Sequence, residues 1–525
     1  PRGGAGDAVR VFNTEAGAEH RGSDSSPNMK PAGSSPRRGQ ELRTCDSEPV
    51  LELEDSPPHS MRASLVVDAP GTHAAQSRVP LALSCCLSAG LAALLLLALS
   101  REPEATRVVV VDRSREACGG NGMLYPGEDA CDCFDCWQGP SCSTRLEGEA
   151  CVVVANSGTP YLFEDYWLAR PRSAPLSVLP SYHIGYGAHV PRLEAAIRSL
   201  HGLIGNAVTD GREVVVGIGS TELIAAALYA LSPTQDEATA SVWSRAPYYS
   251  GYKQSATFFR SAGFEWAADN ASSPPPATAE RPLIELVTSP NNPDGHARAA
   301  SVAGPHSSAV MDHAYLWPHF TAVGPPVAYG NSTVALFTLS KMTGHASTRV
   351  GWALCSDPHV AGRMRDFVQT VTFGSPRENQ LRALAVLEHV VGSGGEIFTF
   401  ARGRMLRRWE RLEALFAGQP EAGQAEAGQG AALFSLEPRD APATDAFSGE
   451  VEYAPSPAYA WIKLNSAQAF GGDAFAAMAA YGIVGRSGRD FGAEPCHVRL
   501  ELLMREQTFE LLIVKLEELL RAGRQ

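Results

Sequence analysis

The sequence predicts an α/β protein in which helices flank a mostly parallel β-sheet, preceded by a cysteine-rich module. Short apolar runs at 213–218, 240–243, 283–287, 308–311 and 333–339 end in polar or glycine-bearing residues. Helical periodicity appears at 191–203, ahead of the first run, and apolar strands that alternate with helices are typical of parallel sheets. The third observation is the crowding of six of the eleven cysteines into 118–151.

Composition excludes two broad classes of protein. The 525 residues carry 44 Lys and Arg against 57 Asp and Glu, a net charge of −13, and 44% of them are hydrophobic. This balance is globular and leaves room for a sizeable core, so a disordered chain is excluded. No dense basic stripe with interleaved aromatic residues occurs, which argues against nucleic acid as a partner.

The N-terminal part of the chain predicts entry into the secretory pathway. Residues 1–78 are rich in Pro, Gly and Ser and are predicted to be disordered. Residues 79–100 contain no charged side chain, and a bilayer-spanning helix needs about 20 apolar residues. The segment is either a signal anchor or a cleaved signal peptide; the anchor is favoured because the run exceeds the usual signal-peptide core. We therefore expect an endoplasmic reticulum membrane protein whose region after residue 100 lies in the lumen.

The cysteine-rich segment at 101–150 supports a lumenal location. Its density of cysteines in a short glycine-rich stretch indicates disulfides formed in an oxidising compartment. The alternative is a zinc site at Cys131, Cys133 and Cys136, but no downstream Cys or His pair completes a tetrahedral set, so no metal is predicted. Two glycosylation sequons, at Asn270 and Asn331, fit the same compartment. The pairing of the cysteines stays open.

One lysine follows a buried strand and is flanked by residues that suggest a ligand-binding or catalytic site. Thr338, Lys341 and Arg349 stand just after the 333–339 run. A lone lysine is usually a solvated surface charge. Lysine also forms Schiff bases with aldehydes, and a Thr hydroxyl with an Arg fork can bind a phosphate. A ligand with both an aldehyde and a phosphate is pyridoxal phosphate.

The partners that such a cofactor requires can be found along the chain. Asp312 follows the apolar strand at 308–311 and could meet the ring nitrogen, while Tyr315 could reach the ring oxygen. Their plainer roles would be strand capping and packing. Asn292 lies in SPNNPDG, which by itself is simply a turn.

A phosphate cradle and a stacking face are also predicted. Ser220 and Thr221 end one strand and open a helix at 222–231, where free N–H groups attract anions. Tyr249, in APYYSGY, is predicted to stack on the ring, although packing in the core would be its plainer role.

From about Cys118 to its end, the chain resembles plant alliinase and the tryptophan aminotransferase-related proteins, which are fold-type I pyridoxal phosphate enzymes. The motifs that carry the resemblance are, in order, CGGNGMLYPGEDACDCFDCWQGPSCS, LHGLIGNAV, VGIGSTELIAAALYALSP, APYYSGY, ELVTSPNNPDG, DHAYLWPHF, FTLSKMTGHASTRVGWAL and GRSGRDFG...HVRLELL. The resemblance implies an EGF-like module, a homodimer with a shared active site, and a catalytic region at 151–525. Within that region it implies a large domain at about 190–397 and a small α+β domain from 151–189 and 398–525.

The resemblance also implies roles for individual residues. Lys341 would bond the cofactor aldehyde and then act as the base, while Asp312, Tyr315 and Asn292 hold the ring. Ser220, Thr221, Thr338 and Arg349 would hold the phosphate, joined by Tyr186 of the other subunit. Arg499 would grip the substrate carboxylate; its plainer role is a surface ion pair in an alternating strand that faces water.

Three functions follow from these residues. The favoured one is a pyridoxal phosphate aminotransferase that acts on an L-amino acid and a keto acid, with tryptophan converted to indole-3-pyruvate in auxin biosynthesis. The alternative is an alliinase-type C–S lyase that eliminates the β-substituent of cysteine sulfoxides. The third, a lumenal binding module without catalysis, is disfavoured because it gives no physical reason to keep the Lys341 set.

Overall fold

The computed structural model describes residues 114–124, 129–176, 190–234, 238–269, 273–417 and 432–522, all within one compact unit, Thr106–Gln525. The predicted disordered segment 1–78, the apolar segment 79–100, Tyr186, Asn270 and the 421–430 stretch lie outside the described residues. Within the described ranges, no helix combines the length and apolarity of a membrane span.

A seven-stranded sheet forms the centre of the described chain, in the order β6-β12-β11-β10-β9-β7-β8. Its strands are β6 Glu213–Gly217, β7 Ala240–Trp243, β8 Phe264–Trp266, β9 Leu283–Thr288, β10 Ser307–Asp312, β11 Thr333–Thr338 and β12 Gly351–Cys355. Of these seven, β12 alone runs antiparallel to its neighbours β6 and β11. The prediction of a mostly parallel sheet flanked by helices is confirmed.

Helices cover both faces of this sheet. They are α3 Pro191–Ile204, α4 Ser220–Leu231, α5 Gly251–Phe258, α6 Leu339–Thr343, α7 Pro358–Thr372 and α8 Arg377–Gly392. Helix α4 packs against α5 and α7, and α3 packs against α8. Gly205 ends α3 in a left-handed conformation, with φ 77°.

The core explains why the strands are continuous apolar runs. Along β11, Val334 and Leu336 join the hydrophobic cluster on one face of the sheet, and Ala335 and Phe337 join the cluster on the other. Alternate residues of a strand point to opposite faces, so a strand covered by helices on both sides must be apolar throughout. Each fully buried Val, Leu or Phe contributes about 1.5–3 kcal/mol.

A smaller α+β part follows the large sheet. In it, β13 Phe434–Leu436, β14 Tyr459–Leu464, β17 His497–Glu501 and β16 Arg486–Ser487 form an antiparallel sheet in that order. Helices α9 Glu396–Ala417 and α10 Ala474–Ala479 pack on it, and α11 Glu506–Ala522 packs against the short strand Val153–Val154. The buried Arg408 on α9 donates to the carbonyls of Leu502 and Met504, at 2.7 and 2.9 Å, which fixes this helix to the end of β17.

The cysteine-rich module is built from short elements. They are α1 Ser114–Ala117, β1 Gly122–Met123, β2 Asp132–Cys133, β3 Trp137–Gln138 and β4 Thr144–Arg145. Disulfides join Cys118 to Cys131, Cys133 to Cys142 and Cys136 to Cys151. The zinc alternative is wrong, because each of its three cysteines is bonded to another cysteine.

The module is continuous with the rest of the described chain. Strand β5 Val153–Val154 follows it directly and pairs in parallel with β15 Ile483–Val484. The Val154 amide donates to the Asp135 carboxylate at 2.9 Å, and helix α2 Glu164–Leu168 comes next. The guanidinium of Arg505 lies 3.9 Å from the ring centre of Phe134 in the module and 3.5 Å from that of Tyr161.

Candidate active site

A cavity of about 200 Å³, partly open to solvent, lies at the carboxyl ends of the central strands. Its lining includes ten predicted site residues: Ser220, Thr221, Tyr249, Asn292, Asp312, Tyr315, Thr338, Lys341, Arg349 and Arg499. The eleventh, Tyr186, lies outside the described residues. In parallel sheets this edge is where ligands bind, since the loops and helix N-termini meet there.

Asp312 is the buried acid of the cavity. It is the last residue of β10, in register with Thr288 at the end of β9. One carboxylate oxygen accepts from the Ala314 amide at 3.1 Å, and the other accepts from the Tyr252 hydroxyl at 3.2 Å. Burial raises the pKa of Asp312 to about 6. A carboxylate desolvated in this way is well placed to receive a cationic ring nitrogen.

Lys341 projects into the cavity from the short helix α6. The 333–339 run predicted as one strand ends at Thr338, because the Thr338 hydroxyl accepts from the Ser340 amide at 3.3 Å and so caps α6. The helix then carries Lys341 just past the end of β11. Its Nζ donates to the carbonyl of Gly158, from a segment far away in sequence.

The N-terminus of α4 and the guanidinium of Arg349 form a cradle for an anion. The helix begins at Ser220, two residues before its predicted start, after Gly219 at φ 94°. Arg349 donates to the carbonyls of Ile218 and Ala346, each at 3.2 Å. Free helix N–H groups beside a guanidinium are suited to a phosphate.

Two glycines keep this cradle open. A Cβ on Gly351 would lie 2.9 Å from the Gly219 carbonyl carbon, the Ser220 amide nitrogen and the Phe337 carbonyl oxygen. A Cβ on Gly219 would lie 2.8 Å from Nη2 of Arg349. Side chains at these two positions would force the helix end and the guanidinium apart.

Three tyrosines and an amide form the remaining polar wall. The Asn292 amide donates to the Tyr315 hydroxyl at 3.4 Å, and the Tyr315 and Tyr459 hydroxyls are 2.8 Å apart. Burial, followed by the neighbouring Tyr459, raises the pKa of Tyr315 well above its ordinary value. Burial also raises the pKa of Tyr249, with Asp312 the next cause. Both phenols are therefore neutral donors near neutral pH.

Arg499 lies at the side of the cavity and is only 1% exposed. Its Nη1 donates to the Asn292 side-chain oxygen at 2.9 Å and its Nη2 to the Asn156 carbonyl at 2.7 Å. Within the described residues its Nε has no hydrogen-bond partner. The surface ion-pair alternative for Arg499 is wrong, and the unpaired buried donor points to a ligand with acceptor oxygens.

The residues present fit pyridoxal phosphate. Lys341 offers an amine, Asp312 a buried carboxylate, and the Ser220–Arg349 cradle an anion site that a Cβ at Gly351 would fill. The orphaned Nε of Arg499 leaves a charged donor for a carboxylate. These groups surround one cavity from separate parts of the chain.

Five polar lining residues were not predicted from the sequence: Ser157, Thr288, Ser340, Tyr459 and Arg486. Thr288 directly follows the predicted strand 283–287, and Ser340 stands between Thr338 and Lys341, so their positions are signals that could have identified them. Arg486 stands in the GRSGRDFG motif. Ser157 and Tyr459 come from segments distant in sequence, and Tyr459 reaches Tyr315 across 144 residues, so no local pattern marks these two.

Known proteins with similar sequences identify the family to which this site belongs. The family model described as Allinase matches residues 153–520. Tryptophan aminotransferase-related protein 3 of Arabidopsis thaliana is 35% identical over 419 residues, covering 77% of this chain and 87% of that protein. Alliin lyase 1 of Allium sativum is 31% identical over 423 residues, covering 77% of this chain and 82% of that protein.

Solved structures share the fold at low identity. The substrate-bound BacF structure from Bacillus subtilis matches with a TM-score of 0.51 at 17% identity, covering 70% of this chain and 90% of that one. Aspartate aminotransferase from Thermus thermophilus with maleate matches with a TM-score of 0.50 at 18% identity, covering 70% and 92%. At such identities the likeness concerns the fold alone.

Proposed function

The chain belongs to the alliinase family of pyridoxal phosphate enzymes, and from that premise we propose that it transfers the amino group of L-tryptophan to a keto acid, giving indole-3-pyruvate for auxin biosynthesis. The observation that carries the proposal is the convergence of Lys341, Asp312 and Arg499 on one cavity beside an anion cradle. An amine, a buried acid and a carboxylate-binding fork are what amino-group transfer with this cofactor requires.

Each residue has a task that its surroundings support. When bound, pyridoxal phosphate supplies an aldehyde that takes up amines and a ring that accepts an electron pair. The carboxylate of Asp312 holds the proton on the ring nitrogen. Arg499 would bind the substrate carboxylate and so orient the Cα–H bond. The Lys341 amine would take that proton and deliver it to the carbon that carried the cofactor aldehyde.

Amino-group transfer is preferred to β-elimination for two reasons. The tryptophan aminotransferase-related proteins 3 and 4 of Arabidopsis thaliana are 35% and 36% identical to this chain, against 31% for alliin lyase 1. Elimination also needs a substrate with a good leaving group on its β-carbon, a requirement that amino-group transfer does not have.

The experiment offers the purified enzyme two sets of substrates. With pyridoxal phosphate, tryptophan and a keto-acid acceptor we expect indole-3-pyruvate. With an S-alkyl-L-cysteine sulfoxide we expect no pyruvate or ammonia. The opposite pattern would make the chain a C–S lyase, and Lys341→Ala should abolish whichever reaction is found while the fold is retained.

Localisation and assembly are proposed on separate grounds. The three disulfides among the described residues support an oxidising compartment. We therefore propose the lumen of the secretory pathway, with residues 79–100 as the anchor in the endoplasmic reticulum membrane. A homodimer in which Tyr186 enters the partner's site rests on the family resemblance. Tyr186→Phe should weaken cofactor binding if the proposal is correct.

A further inference from the structure

The segment Asn156–Gly158 is held in place by two charged side chains of one strand. Arg499 and Glu501 lie two residues apart on β17 and share a face. Nη2 of Arg499 donates to the Asn156 carbonyl at 2.7 Å. Oε2 of Glu501 accepts from the Ser157 hydroxyl at 2.7 Å and from the Gly158 amide. The segment is thus gripped at both of its ends.

The same segment is the hydrogen-bond partner of Lys341. The Gly158 carbonyl accepts from Nζ of Lys341. Gly158 itself has a φ of 92°, and a Cβ there would collide with the Tyr459 hydroxyl and lie 3.2 Å from its Cζ. The backbone at Gly158 therefore lies against Tyr459 while its carbonyl contacts the lysine. Glu501 is therefore linked to the Lys341 amine through Gly158, whose amide donates to Glu501 and whose carbonyl accepts from the lysine.

Glu501 lies in a surrounding that keeps its carboxylate close to cations. It is 2% exposed, and burial, the largest influence, raises its pKa. The Gly158 and Ser157 hydrogen bonds and the charges of Lys341 and Arg499 lower it. The other charged groups of the adjoining cavity are Asp132, Asp135 and Arg505.

We infer that Glu501 is a positioning residue for the lysine: through Ser157 and Gly158 it sets where the Lys341 nitrogen lies, and it places a carboxylate near that nitrogen. The inference rests on the proposed function only in that the reaction uses this amine. No contact between Glu501 and substrate or cofactor is needed. Replacement by glutamine keeps an acceptor oxygen for both donors and removes the charge.

The test follows the visible absorption band of the full-length protein reconstituted with pyridoxal phosphate, without amino acid, as the pH is varied. In Glu501→Gln we expect the pH midpoint of the band to fall by about one unit, tenfold in the proton equilibrium, because a negative charge near the nitrogen is lost. Gly158→Ala, which forces the same segment away from Tyr459, should move the midpoint in the same direction.

Glu285→Gln is the matched control. Glu285 is also 2% exposed and also accepts from a serine hydroxyl, that of Ser301, at 2.7 Å, and from two backbone amides. It does not line the Lys341 cavity. Its variant should lose stability but keep the wild-type midpoint.

Two results would overturn the inference: a folded Glu501→Gln protein with the wild-type midpoint, or an equal shift in Glu285→Gln. Because the titration contains no substrate, it decides this question even if tryptophan proves not to be the amino donor. Conversely, a shifted midpoint would support the role of Glu501 even if the proposed reaction on tryptophan were not found. Folding of every variant is checked by cooperative thermal unfolding.

Discussion

In the cofactor-free protein, the burial of Asp312 lowers the free energy of unfolding by an amount that depends on pH. Its pKa rises from 3.8 to about 6 because it is buried, so the unfolded chain releases the proton at a lower pH than the folded one. Below pH 3.8 the side chain is protonated in both states and the cost is nil. As the pH rises through 6, the cost grows to roughly 3 kcal/mol.

We therefore predict that Asp312→Asn stabilises the cofactor-free protein relative to wild type, by an amount that grows from pH 4 to pH 7. Denaturant unfolding at several pH values measures this difference. The same variant should lose most of its catalytic activity, since an amide cannot hold the proton on the ring nitrogen. A stability difference that does not change with pH would show that Asp312 ionises normally.

Arg499 gives a second prediction at the same scale. In Arg499→Lys the bidentate fork is lost while the charge remains, so KM for the amino acid should rise by about 10- to 100-fold, the equivalent of one or two charged hydrogen bonds.

Arg363→Lys is the control for that substitution. Arg363 donates to the carbonyls of Tyr229, Ala230 and Ser232, each at 2.7 Å, and does not line the cavity. Its replacement should leave KM as it is. An unchanged KM in Arg499→Lys would remove the carboxylate-binding role of Arg499.

Sequence reasoning identified several site residues that follow a strand, and the family resemblance supplied Arg499, but Glu501 and Tyr459 of the small sheet were missed. Lys341 and Asp312 stand directly after apolar runs, so their placement follows from chain direction in a parallel sheet. Glu501 bonds to Ser157, which is 344 residues away in sequence. Tyr459 contacts Tyr315, which is 144 residues away. Such pairs are set by how the small sheet docks, which no local pattern encodes.

At the scale of elements, the apolar runs predicted five of the seven central strands and their mostly parallel course, but not the antiparallel strand β12. Strand β7 begins and ends at the residues predicted. Strand β12 was not among the predicted runs, and its antiparallel course inserts it between β6 and β11. Its register places Gly351 beside both Gly217 and Thr338. Pairing direction depends on the connections, so periodicity alone could not supply it.

That register makes Gly351 a critical position for the anion cradle. We predict that Gly351→Ala lowers the stability by about 1–3 kcal/mol and weakens cofactor binding, because its Cβ would lie 2.9 Å from the Ser220 amide. Titration of the apoprotein with pyridoxal phosphate measures the second effect.

The control for the glycine is on the surface of α7. At Gly362 a Cβ meets nothing within 4 Å, and alanine inside a helix is favoured over glycine by about 0.5–1 kcal/mol. Gly362→Ala should therefore raise stability and leave cofactor affinity unchanged. If both variants bind the cofactor alike, the cradle does not hold its phosphate.

At the scale of the whole described molecule, the cysteine-rich module and the active site share one stretch of chain. Cys151 closes the disulfide from Cys136, and β5 follows two residues later. The Ala155 carbonyl then accepts from the Glu501 amide at 2.8 Å, immediately before the Asn156–Gly158 segment. The module thus restrains from one side the segment that Glu501 and Arg499 grip from the other.

Removing this restraint should weaken the protein without unfolding it. The Cys136–Cys151 loop spans 15 residues, for which loss of the crosslink costs about 3 kcal/mol. We predict that denaturant titration of the double variant Cys136→Ser/Cys151→Ser gives a free energy of unfolding lower than that of the wild type by this amount. A reductant should lower the free energy of unfolding of the wild type at least as far. Cys496→Ser, at a thiol outside the disulfides, should behave as the wild type does. Equal stability of the double variant and the oxidised wild type would mean that the module adds nothing to the catalytic region.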